Sequence, residues 1–111
     1  MIQVLIERRD HRVSLLEVKG HAESGPYGYD LVCAGVSSVV FGGINALIEL
    51  AGYEPDIDQA ADGGYIRLTV PSNLTETERE RTQLLLEGLI ISIKTIVASY
   101  GEHIQVREEE V

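Results

Sequence analysis

The sequence predicts an α+β fold, in which two hairpins and a final short strand form a mixed or antiparallel sheet packed against two helices. Three observations carry this reading. Apolar residues alternate over short stretches that come in pairs separated by turn residues. One long uncharged run and one capped apolar repeat mark helices, and a helix follows each hairpin rather than each strand. A chain of 111 residues suits a single domain over 1–111, since compact domains commonly hold about 100 to 150 residues around one core.

Ile2, Val4 and Ile6 alternate with Gln3, Leu5 and Glu7, as in a strand with one face on a core. Arg9-Asp10-His11 reads as a turn. Val13 and Leu15 open a second strand, after which Leu16 and Val18 take the opposite phase, so a bulge or a change of face is expected. The hairpin ends at Gly20-His21. Ala22 to Asp30, with Gly25, Pro26 and Gly28, reads as a loop. Asp30 can cap the helix that follows, and Gly52 sits where a helix stops.

The run Leu31 to Ile48 has no charged side chain, and its length is near the minimum for a membrane span. Ser37, Ser38, Asn45 and the glycines at 35, 42 and 43 dilute it, and no basic cluster flanks it. It reads as a buried core helix, and no membrane contact is expected. Tyr53 to Ala61 and Tyr65 to Val70 flank Asp62-Gly63-Gly64 as a second hairpin. Ile66, Leu68 and Val70 point to the core, and Tyr65, Arg67 and Thr69 away from it. Thr75 followed by Glu78 has the spacing of a capping box. The helix it opens carries Leu85, Leu89, Ile93, Ile96 and Val97 and stops at Gly101, before a short strand from His103 to Arg107.

The net charge of -9 argues against electrostatic capture of nucleic acid and leaves a basic protein as a partner. A single cysteine forms no intrachain disulfide, which fits a reducing compartment. Met1 to Arg8 lack the basic region and apolar core of a secretory signal, so the cytoplasm is the expected location. Three histidines and one cysteine, with no Cys-x-x-Cys or His-x-x-x-His pair, argue against structural zinc. Asp56, Asp58 and Asp62 lack a calcium-loop pattern, and the glycines of 20–28 form neither a phosphate loop nor a dinucleotide fingerprint. No metal or cofactor is expected.

Cys33 lies three residues after the candidate cap Asp30, where helix amides and the helix dipole would stabilise a thiolate. Taken alone, a cysteine there is more often a small core residue. His21 closes a strand at the other end of the same loop and can return beside Cys33. Such a pair performs acyl transfer: the imidazole takes the thiol proton and later gives it to the leaving amine. Spacing fits equally well a His21 that only packs or bonds the backbone. Amides near Cys33 and Ala34 are candidate oxyanion donors. Asp30 either caps the helix or orients His21, and its place three residues before Cys33 favours the cap.

Gly20-His21-Ala22, Gly25, Gly28, Asp30, then Val32-Cys33-Ala34 and Ser37, resemble the signature of Prp, the ribosomal-processing cysteine protease family. The order of hairpins and helices resembles that family over essentially the whole chain. The resemblance implies a homodimeric cysteine endopeptidase. It would remove a short N-terminal extension from a bacterial large-subunit ribosomal protein, number twenty-seven, during ribosome assembly. It places the catalytic roles on His21 and Cys33, with Gly20, Gly25, Gly28, Asp30 and Ser37 in support. Family cleavage follows a small residue preceded by aromatics, with basic residues downstream that an acidic enzyme would complement. Two other readings are a noncatalytic ribosome-assembly module that binds a basic protein, and a thiol acyltransferase using the same pair.

Overall fold

The computed structural model describes residues 1–20, 27–61 and 64–111, with the backbone alone for 27–30. The elements are β1 (Ile2–Arg9), β2 (Arg12–Lys19), α1 (Tyr27–Ala51), β3 (Asp56–Gln59), β4 (Tyr65–Thr69), α2 (Glu76–Tyr100) and β5 (Ile104–Glu110). Across the sheet the order is β3-β4-β2-β1-β5. All neighbours are antiparallel except β5, which lies parallel to β1. The mixed sheet and two helices are the α+β architecture predicted from the sequence.

Asp10 and His11 both take positive φ, 52° and 67°, in a two-residue turn between the paired Arg9 and Arg12. That conformation matches the twist of the flanking strands. The register then slips: Arg8 faces Val13, and Glu7 faces Leu15, so Ser14 is an extra residue. This is the expected bulge. It lets Val13 and Leu16 both reach the core, while Leu15 falls on the other face with Glu7.

The strand ends differ from the sequence reading for identifiable reasons. β3 starts at Asp56, not Tyr53, because the Tyr53 hydroxyl turns to the buried Thr82 hydroxyl at 2.7 Å and Pro55 intervenes. β5 runs on to Glu110 rather than stopping at Arg107. Glu108 is held there by Lys94 and Arg8 at 3.1 and 3.2 Å, and Glu110 accepts the His11 amide at 3.0 Å.

One face of α1 buries Val32, Val36, Val40, Ile44, Leu47 and Ala51 at helical spacing. Each of the larger side chains contributes about 1.5 to 3 kcal/mol by leaving water. Both helices are long and apolar enough to cross a membrane by length and composition, yet each lays a face on the common core. A side chain at Gly43 would run into Leu89, so α1 packs tightly on α2 at that glycine. Gly52, at φ 83°, ends α1 as expected. The capping box of α2 is formed in both directions, with Glu78 N donating to Thr75 Oγ1 at 3.1 Å and Thr75 N to Glu78 Oε1 at 2.9 Å. Its buried stripe is Thr82, Leu86, Leu89, Ile90 and Ile93. Leu85, Ile96 and Val97 are only partly covered.

Candidate active site

Because α1 begins at Tyr27, Asp30 is its fourth residue and Cys33 its seventh. The capping role read for Asp30 therefore does not hold, since a cap precedes the first helical residue. The oxyanion role read for the Cys33 and Ala34 amides fails for the same reason. Only the first four amides of a helix lack an intrahelical acceptor. At about 1.5 Å per residue, Cys33 lies roughly 9 Å into the helix, beyond the turn in which the dipole acts. The early start was hidden in the sequence by Gly28, whose helix propensity is about 1 kcal/mol below that of alanine.

The free thiol of Cys33 is half-buried and forms part of the wall of a cavity of about 140 Å³. Val36, Val40 and Phe41 of α1 line it, together with Ile2, Val18 and Ile66 from three strands. Ser37, one turn after Cys33, is exposed and lies on the same cavity. Also on its lining, Gly20 donates its amide to the Gly64 carbonyl at 3.0 Å. Both take positive φ, 98° and 76°. A side chain at Gly20 would strike the Met1 carbonyl, so glycine is required for two reasons.

Cys33, Ser37 and Gly20 are thus brought together on one cavity. Gly28 is the second residue of α1. His21 and Gly25 lie outside the described residues, as does the rest of the expected loop up to Pro26. Sequence reasoning did not find Ile2, Phe41, Gly64 or Tyr65 as cavity residues. Nothing local marks them, because sheet pairing brings all but Phe41 to Cys33. The Tyr65 hydroxyl donates to Glu17 across the sheet at 2.8 Å, and this bond holds the phenol above its ordinary pKa.

The sequence matches the family described as cysteine protease Prp over residues 1–105. The chain belongs to the Prp family of cysteine proteases. A ribosomal processing cysteine protease Prp of Bacillus subtilis is 47% identical over 108 residues, covering 96% of each chain. Its Staphylococcus aureus counterpart is 38% identical over 106 residues, covering 95% of this chain and 96% of the relative. A crystal structure of S. aureus Prp in complex with a covalently linked product peptide superposes with a TM-score of 0.84. It is 37% identical, with 97% of this chain and 99% of that one covered. A Streptococcus mutans protein reaches 0.87 at 33% identity, covering 100% of this chain and 96% of its own. Proteolysis by a cysteine is the activity of this Prp family member.

Proposed function

We propose that the enzyme removes the N-terminal extension of a bacterial large-subunit ribosomal protein, number twenty-seven, in the cytoplasm during ribosome assembly. The names of the relatives support ribosomal processing. One observation carries the choice of nucleophile: Cys33 lines an apolar cavity together with Gly20, the residue that precedes His21 in the chain. His21 takes the Sγ proton and the thiolate attacks the scissile carbonyl. The amine then leaves with the proton from the imidazolium, and water hydrolyses the thioester. A relative that holds a covalently linked product peptide supports a covalent route. The cavity matches the roughly 150 Å³ that accepts a benzene ring, so it suits one aromatic or apolar substrate side chain beside the cut.

With the cap position excluded, Asp30 is assigned to orienting His21. Asp30→Asn then keeps the fold and loses about a thousandfold or more in rate, by analogy with triad enzymes. Two copies associate through the outer helical face, where Leu84 and Ile91 are 76% and 64% exposed with Gly88 between them. Leu84→Glu with Ile91→Glu should shift sedimentation from dimer to monomer. Incubation with the ribosomal precursor, followed by mass measurement, tests the main reading. The parent should release one N-terminal fragment, and His21→Ala should release none. An intact precursor with the parent enzyme would overturn the substrate, and normal cleavage by His21→Ala would overturn the base.

A further inference from the structure

Arg9 and Arg12 face one another directly across the β1–β2 pair. Facing residues of an antiparallel pair share a side of the sheet, where like charges repel and destabilise. Both are exposed, and neither forms an ion pair among the described residues. The other arginines are engaged. Arg8, Arg67 and Arg107 each hold a carboxylate, and Arg79 and Arg81 each donate to a main-chain carbonyl.

Arg9 and Arg12 line an open cavity of about 570 Å³, with Arg79 of α2 also on its wall. The floor includes Val13, Val70 and Leu74, and Arg79 is steadied by its bond to the Leu74 carbonyl at 3.3 Å. Glu7 and Asp10 share this wall, and Glu76 and Glu80 adjoin Arg12 and Arg79 from the helix side. None of these carboxylates pairs with the three guanidinium groups. The cavity is remote from Cys33: β1 runs from Ile2 on the thiol cavity to Arg9 here, roughly 23 Å at the usual strand rise.

We propose that this cavity is a second binding site, for a phosphate-bearing ligand held by the facing pair Arg9 and Arg12. Guanidinium forks match phosphate oxygens, and an anion between the facing pair turns their repulsion into attraction. The net charge of -9 weakens long-range capture of such ligands but does not cancel a local cluster. The phosphate belongs either to a small free anion or to a phosphodiester chain.

Calorimetric titration at low salt with pyrophosphate, and separately with a single-stranded oligoribonucleotide, tests the site. At least one should bind saturably, with affinity weakened about tenfold or more in Arg9→Ala/Arg12→Ala. That double variant should cleave a short peptide at the parent rate. Pyrophosphate should raise the melting temperature of the parent and not of the variant. Binding of pyrophosphate alone supports a small-anion ligand, and tighter binding of the oligonucleotide supports a phosphodiester one. No saturation by either up to roughly 10 mM, or equal affinity in the double variant, would overturn the proposal.

Discussion

At the turn end of the sheet, side chains do the fastening. Arg8 meets Glu87 through two bonds of 2.8 Å, Glu108 bridges Arg8 and Lys94, and Gln83 holds both main-chain groups of Val13 at 2.8 and 2.9 Å. At the Cys33 end the backbone does more of it, through Gly20 N to Gly64 O and Ile2 N to His103 O, both 3.0 Å, around an apolar cavity. An opening that must admit a peptide leaves its walls apolar and settles its polar groups on the main chain. An end with no such duty can be stapled by polar side chains. Substitutions at the two ends should therefore separate activity from stability.

The largest separation is expected at Cys33. Cys33→Ala should lower cleavage at least about a thousandfold while its melting temperature stays near the parent's, because alanine suits a helix interior. Parent-like turnover, read from product masses, would remove Cys33 from the mechanism. Leu86→Ala, in the core that serves both ends, should cost about 2 to 5 kcal/mol in urea unfolding. Its folded fraction should still cleave. Gly20→Ala should cost on the order of 1 to 3 kcal/mol through positive φ and the Met1 carbonyl. Its activity should fall by more than the unfolded fraction explains, since Gly20 lines the cavity beside Cys33. Thr75→Ala, away from the cavity, should cost about 1 kcal/mol by loss of the cap and leave kcat/KM unchanged.

The smallest effect concerns acid. The hydrogen bond from Arg8 holds the Glu87 carboxyl below its ordinary pKa, and that from Lys94 does the same first of all for Glu108. A depressed folded-state pKa gives stability that is complete above the unfolded value near 4.3 and is lost as pH falls through the folded value. Arg8→Ala should therefore flatten the loss of stability below about pH 5, by under roughly 1 kcal/mol, because the two glutamates are 42% and 37% exposed. An acid melt unchanged by the substitution would show that the turn end is fastened mainly by Gln83 and packing.

Features with local causes were readable in the sequence. The Thr75–Glu78 box, the Gly52 stop and the phase reversal around Ser14 each have a cause within a few residues, and the structure holds all three. The start of α1 was not readable, because Tyr27-Gly28-Tyr29 has poor helix propensity. Cys33 and Gly20 stood out by residue type, and Ser37 by its place in the family signature. Ile2, Ile66 and Phe41 did not, since a cavity wall is set by which strands become neighbours. That wall depends on β2 pairing with β4 across the intervening helix, a long-range pairing that no turn signal announces.

The parallel pairing of β1 with β5 also constrains how the chain can fold. Ile2 finds its partner in Ile104 and Arg8 in Glu110, so the first strand waits for the last. Contacts of such long sequence separation close late and slow the overall folding rate. While the chain is still emerging from the ribosome, the hairpins and helices can assemble, but β1 remains an open edge able to pair with other chains. Release of β5 is the event that both closes that edge and brings Lys94 and Arg8 together on Glu108. Emergence of β5, rather than any earlier local step, thereby sets when the β1 edge is covered.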